Sequence, residues 1–148
     1  MSWTYKQHEI GDITQFPENT FGFVYMTTHK PSGKSYIGKK VLFHNQKKKL
    51  GKKELAEQPI TRGRTSTTKQ IIKESDWKTY YGSAKPTLGL LKENKHEEFK
   101  REIIKITTSK KLLTYYETKI LFTLGVLENP EYYFNDNVLG KFFAKDFL

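Results

Sequence analysis

The sequence predicts a small α/β or α+β layer, a short mixed sheet with helices packed against it. Three observations carry this. Two runs of β-branched and aromatic residues flank a turn near the N-terminus. A third such run lies at 99–107, and two stretches with helix start and stop signals sit on either side of it. The order is hairpin, basic insert, helix, strand, helix.

The hairpin comes first. Residues 20–28 (TFGFVYMTT) and 34–41 (KSYIGKKV) have strand composition, and HKPSG between them supplies Pro and Gly where a turn needs them. Further on, Ser83 is placed to cap a helix with Pro86 in its first turn, running to about Lys95 and weakened by Gly89. Residues 99–107 (FKREIIKIT) read as the third strand. Ser109 then caps a longer helix that stops at Gly125, with Leu112, Leu113, Tyr116, Ile120, Leu121 and Leu124 at helical spacing. The aromatic tail NPEYYFNDNVLGKFFAKDFL is expected to pack back on the core.

The chain has 148 residues, enough for one sizeable core, and is read as a single domain over 1–148. Aromatics make up 14%, which argues against wholesale disorder. The absence of cysteine excludes a disulfide scaffold, a thiolate zinc site and a cysteine nucleophile. No apolar run approaches the ~18 residues of a membrane helix. The N-terminal MSWTYKQHEIGD lacks the apolar centre of a signal peptide. The expectation is a soluble, cytoplasmic, basic domain with no membrane partner.

The formal charge is +10, and it is concentrated. Between Lys39 and Lys73 stand eleven Lys or Arg against two acids, while the remainder is nearly neutral. This basic insert, about 39–73, shows no sustained period and is read as a long loop or arm with one short helix. Such a cluster would release counterions from a phosphate backbone, so Lys47, Lys48, Lys49, Lys52 and Lys53 are candidate nucleic-acid contacts. Arg62 and Arg64 could fork onto phosphate oxygens. A membrane surface is the weaker reading, since no amphipathic apolar face accompanies the charge.

Four positions bear chemistry. Glu117 lies one helical turn from Leu113, Ile120, Leu121 and Leu124, on or at the edge of the inward face. There a carboxylate must be paired, solvated through a cleft, or bound to metal. One carboxylate suffices for Mg²⁺ when water and phosphate supply the other ligands. Tyr25 and Tyr36 stand on the two hairpin arms. If Thr28 pairs with Gly33, both rings share one face, and a one-residue slip would separate them. Gly38 marks a strand position where something approaches the backbone closely, with Lys39 and Lys40 beside it.

GFVY, YIGKK, an isolated Glu in the last helix and the asparagine of YYFNDN together resemble the GIY-YIG nuclease superfamily. Phe23-Val24-Tyr25 stands where that family has Gly-Ile-Tyr, and Tyr36-Ile37-Gly38 is the second motif intact. The stretch ESDWKTYYGSAK with the following helix and FKREII resembles phage-encoded Seg-like members classed as homing endonucleases. The resemblance covers roughly residues 20–140. It implies an α+β fold with a small three-stranded antiparallel sheet flanked by helices, here with a long basic insert after the second strand.

It also implies a Mg²⁺- (or Mn²⁺-) dependent endonuclease acting on double-stranded DNA. Carried over, Glu117 is the metal ligand, Tyr25 and Tyr36 flank the attacking water, and Asn135 is the late asparagine, with Asn137 competing. Gly38 lets the backbone approach the substrate. The family's arginine soon after the second motif is missing. Arg62 or Arg64 folds back to replace it, or Lys39, Lys40 or one of Lys47 to Lys49 does, and His44 is a further candidate partner. A lysine beside a tyrosine would lower a phenol pKa that is otherwise near ~10. Trp77, Tyr80 and Tyr81 are candidates for base stacking, with core packing the expected role of Trp77. Two-strand cutting by one site would need a homodimer or sequential nicks. The alternative class is a catalytically inactive nucleic-acid-binding module on the same fold.

Overall fold

The computed structural model describes residues 2–58, 63 and 66–148. In chain order its elements are β1 (Trp3–Tyr5), β2 (His8–Ile10), β3 (Gly22–His29), β4 (Ser35–Val41), β5 (Phe43–Lys49), α1 (Lys52–Ala56), β6 (Thr68–Glu74), α2 (Lys85–Lys92), β7 (Phe99–Thr107), α3 (Lys110–Leu124), β8 (Asn137–Val138) and β9 (Phe142–Phe143). They fall into two compact units. One runs to Leu42 and resumes at Asp76–Leu148; the other is Phe43–Ser75. Among the described residues no helix is long and apolar enough to cross a membrane.

The first unit is built on a five-stranded sheet in the order β2-β1-β7-β3-β4. Strand β3 pairs antiparallel with both β4 and β7, which reproduces the expected three strands. Strand β1 joins β7 in parallel, and β2 forms the far edge. The expectation of three antiparallel strands is thus corrected to five strands with one parallel pair. Strands β1 and β2 have three residues each, too few for any periodicity to show. Burial holds β1 in place: Trp3 packs edge-on to Phe23 and Tyr25, and its Nε1 donates to the Trp77 carbonyl at 2.7 Å.

The hairpin forms as its sequence predicts, but two residues out of the expected register. Thr28 sits opposite Ser35, not Gly33, with the two hydroxyls 2.8 Å apart. Gly33 takes φ +73°, a left-handed value that glycine adopts freely, and its N–H donates to the His29 carbonyl. A shift of two preserves parity, so Tyr25 and Tyr36 still share a face.

Each sheet face carries its own core. On one, Trp3, Phe16, Phe23, Tyr25, Trp77 and Ile103 cluster, with Tyr36 and Tyr80 packed against them. On the other, Val24 and Ile37 meet Leu113 and Leu121 of α3 and Val126, Leu127 and Val138 of the tail. Helix α3 begins and ends as predicted. The Ser109 Oγ accepts from the Leu112 N–H at 3.1 Å, and Gly125 closes the helix at φ +59°. Its inward stripe is narrower than predicted, because Leu112 and Leu124 are exposed. Helix α2 stops at Lys92 and is preceded by Ala84 at the cap position, not Ser83.

The second unit corrects the reading of the insert as a loop. Strands β5 and β6 pair antiparallel over seven residues each, Phe43 opposite Glu74 through Lys49 opposite Thr68, and α1 is the one short helix expected.

Candidate active site

Strand β4 is the outer strand of its sheet, so side chains from its two faces can meet beyond its edge. The alternation sends Tyr36, Gly38 and Lys40 to the aromatic face and Ile37, Lys39 and Val41 to the face covered by α3. Adjacent lysines therefore serve opposite sides.

Tyr25 is 1% exposed, its ring 5.4 Å from Trp3, 5.8 Å from Tyr80 and 6.3 Å from Tyr36. Its hydroxyl lies over Gly38. A Cβ built there would collide with that hydroxyl and stand 2.7 Å from the Tyr25 Cζ and 3.0 Å from the Tyr36 Cε1. The close approach expected at Gly38 is thus made by the protein's own tyrosine. Gly82, at φ +110°, presses the loop before α2 against the same two rings. The Tyr36 hydroxyl reaches the Ser83 Oγ at 3.0 Å, which explains why Ser83 does not cap α2.

From the other face comes Glu117, half-buried on α3. A polar cavity of about 130 Å³ is lined by Tyr36, Glu117, Asn135 and Asp136, so one phenol and the carboxylate share a space. Among the described residues no hydrogen bond or ion pair takes up the Glu117 carboxylate. The Lys39 Nζ donates to the Thr114 Oγ1 at 3.1 Å, one turn before Glu117.

Electrostatics follow burial. Burial raises the Glu117 pKa, with Lys39 opposing it. Burial pushes the Tyr25 phenol far above its usual range, and the nearby Tyr80, Tyr36 and Glu117 add to the shift. Tyr36 is also raised by burial, against the hydrogen bond from Ser83. The expectation that a lysine lowers a tyrosine pKa is not met. Lys40 is instead salt-bridged to Asp76 and lies 4.1 Å over the Tyr80 ring.

Asn135 is 7% exposed and clamps the edge strand. Its Oδ1 accepts from the Ile37 N–H at 3.0 Å and its Nδ2 donates to the Ile37 carbonyl at 2.8 Å. The segment before it continues the sheet, with Ser35 donating to the Tyr132 carbonyl and accepting from Phe134 N–H. Asn137 is exposed and caps a turn by accepting from the Gly140 N–H. Of the two asparagines, Asn135 is the one built into the site's frame.

The structure thus gathers Tyr25, Tyr36, Gly38, Lys39, Glu117 and Asn135 around the β4 edge. Lys47, Lys48, Lys49, Lys52 and Lys53 belong to the second unit with His44, and Arg62 and Arg64 lie outside the described residues. Trp77 is fully buried in the core and Tyr81 nearly so. Tyr80, read as a base-stacking candidate, packs on Tyr25 instead. Asp136 and Gly82 were not singled out from the sequence, and the Tyr80-Tyr81-Gly82-Ser83 run was the signal available. Arg101 was also missed. Buried on β7, it donates to the Lys78 and Tyr80 carbonyls at 2.9 Å each and stacks 4.1 Å from Tyr81, which fixes the loop carrying Tyr80.

Among the described residues no group of three or more His, Asp or Glu side chains could hold a metal ion. Glu117 and Asp136 are the two carboxylates lining this cavity, the residues there that could hold a hard cation which keeps most of its waters. Comparison with curated proteins and with solved structures finds no match. A family model described as "Putative endonuclease segE, GIY-YIG domain" matches residues 3–138, nearly the whole chain, β1 and β2 included. The tyrosine pair, the edge glycine and the facing carboxylate thus occur within a matched domain, and the chain belongs to the Seg-type GIY-YIG endonuclease-domain family.

Proposed function

We propose that this protein is a divalent-metal-dependent endonuclease that hydrolyses phosphodiester bonds of double-stranded DNA. The observation that carries the reading is the cavity shared by Tyr36 and Glu117, with Tyr25 locked behind Gly38. Water's oxygen bonds to phosphorus, the bond to the leaving sugar oxygen breaks, and that oxygen takes a proton. A Mg²⁺ or Mn²⁺ ion held by Glu117 would supply Lewis-acid stabilisation of the phosphate charge.

The chain's own groups do the rest. Tyr36 is the phenol with access, since Tyr25 is sealed from solvent. Ser83 donating to the Tyr36 oxygen favours its phenolate form, whose remaining lone pairs facing the cavity would orient water and take its proton. Tyr25 positions Tyr36 and the Gly38 backbone. Lys39 supplies positive charge on the Glu117 side of the edge, while Lys40 is committed to Asp76. Asn135 keeps the edge strand straight as the cavity wall. Arg62 and Arg64 would contact the phosphate, and the lysines of the insert the DNA backbone.

One observation favours the rival reading, an inactive binding module: burial raises both phenols, which makes phenolate scarcer. Supercoiled plasmid separates the two. Cutting in Mg²⁺ that stops in EDTA supports the enzyme. Glu117→Ala should then lower the rate by about a hundredfold or more, with binding measured in EDTA unchanged. Undiminished cutting by that variant would remove Glu117 from the site, and no cutting by the wild type under any divalent metal would leave the binding module. A dimer in solution, seen by sedimentation, would favour paired cuts over sequential nicks.

A further inference from the structure

The pairing of β5 with β6 sorts the insert's side chains onto two faces that differ in chemistry. On one face Phe43 stands opposite Glu74, Asn45 opposite Ile72, Lys47 opposite Gln70 and Lys49 opposite Thr68. On the other, His44 stands opposite Lys73, Gln46 opposite Ile71 and Lys48 opposite Lys69. The second face is partly occupied, since Lys69 pairs with Glu54 of α1 at 2.7 Å and Ile71 is half-buried. The first is open: Ile72 is 75% exposed, and Asn45, Lys47, Lys49 and Gln70 are all exposed. Ile72 is thus left largely solvent-facing opposite Asn45, between Gln70 and Glu74 on its own strand.

We infer that this open face is a reading head for the major groove of B-form DNA, with Asn45 and Gln70 contacting base edges, Ile72 meeting a thymine methyl group, and Lys47 and Lys49 holding phosphates. The inference deepens the reading above, which takes duplex DNA as the substrate. The dimensions agree. A two-stranded ribbon fits a groove about 12 Å wide. Side chains two apart on one strand are separated by roughly 6.8 Å, which matches about two base-pair steps. Carboxamides pair bidentately with adenine in that groove, and an aliphatic side chain complements thymine's methyl group. The charge is complementary as well: the face carries Lys47 and Lys49 against Glu74, within a segment, 43–75, whose sequence holds nine Lys or Arg against three acids. Duplex RNA does not suit this face, because its major groove is too deep and narrow for side chains to read. Lys48, grouped with Lys47 and Lys49 by sequence alone, belongs to the other face.

The test is selection from a random-sequence DNA duplex library by the full chain in EDTA, which reads binding without cutting. The wild type should enrich a motif. Asn45→Ala with Gln70→Ala should lose preference over about two to four adjacent base pairs, with discrimination there falling roughly five- to a hundredfold. Lys47→Ala with Lys49→Ala should lower the salt dependence of binding by about two in slope while keeping the motif. Gln46→Ala with Lys73→Ala, on the other face, should enrich the wild-type motif. The inference is overturned if the Asn45 and Gln70 variant selects the wild-type motif, if the Gln46 and Lys73 variant loses it, or if duplex RNA competes as well as DNA. Plasmid cutting without any enriched motif would sink the reading head alone. An enriched motif without cutting would sink the nuclease reading and leave the head standing.

Discussion

Substituting alanine at Gly38 tests the site's geometry most directly. The added Cβ would stand 2.7 Å from the Tyr25 Cζ and closer still to its hydroxyl. An unstrained carbon contact needs about 3.5 Å, so the ring must retreat by about 0.8 Å. It has nowhere to go, because Trp3, Phe23 and Tyr80 enclose it and it is 1% exposed. Gly38 has an ordinary strand conformation, so no backbone strain contributes and the effect is steric alone. Overpacking of this kind costs about 1–3 kcal/mol. For a domain of this size that corresponds to a fall in Tm of roughly 3–10 °C. Cutting should suffer more than stability, since misplacing a positioned group by about 1 Å costs on the order of a hundredfold. Calorimetry and single-turnover plasmid cleavage below the variant's Tm measure the two effects separately. The shape of the clash adds a check. Tyr25→Phe removes the nearest atom, so the double variant should be more stable than the two separate losses predict. A Gly38→Ala protein with wild-type Tm and wild-type cutting would refute the packing argument and the role it gives Tyr25.

Two further outcomes follow from the same geometry. Asn135→Ala orphans both the N–H and the carbonyl of Ile37 and should cost about 2–4 kcal/mol in urea unfolding; a loss of only a few tenths would mean that the clamp is dispensable. The acidity of Glu117 predicts a pH trend without metal. Its pKa is raised in the folded state, so its contribution to stability is full below the unfolded value near 4.5 and is lost as pH rises through the folded value. Glu117→Gln carries no such group, so in EDTA its stability relative to wild type should climb from pH 4 to pH 8. A difference that stays flat, or shrinks, contradicts the burial that the structure assigns to this carboxylate.

Local chemistry was enough to specify the hairpin, strand β7 and helix α3. Their signals are short-range: a glycine free to take a left-handed turn, a serine whose hydroxyl reaches an N–H three residues on, β-branched runs, and a helical stripe interrupted by one acid. Each acts within a few residues, so each was legible before any fold was known. The same locality made Glu117 conspicuous, because a carboxylate among leucines contradicts its own neighbourhood. What escaped is held by partners far along the chain. Strand β1 exists because Trp3 is buried against rings of β3 and the carbonyl of Trp77, both far along the chain. Asn135 reveals its work only where it meets Ile37, 98 residues away. The hairpin's register was decided by the turn's actual geometry, and with it which face each tyrosine and each lysine serves. Neighbouring Lys39 and Lys40 look alike in the chain, yet alternation across the sheet gives one to Thr114 on the Glu117 side and the other to Asp76. The ribbon in the insert was hidden for a related reason: its strands are polar on both faces, so no hydrophobic alternation marks them, and pairing alone makes them strands.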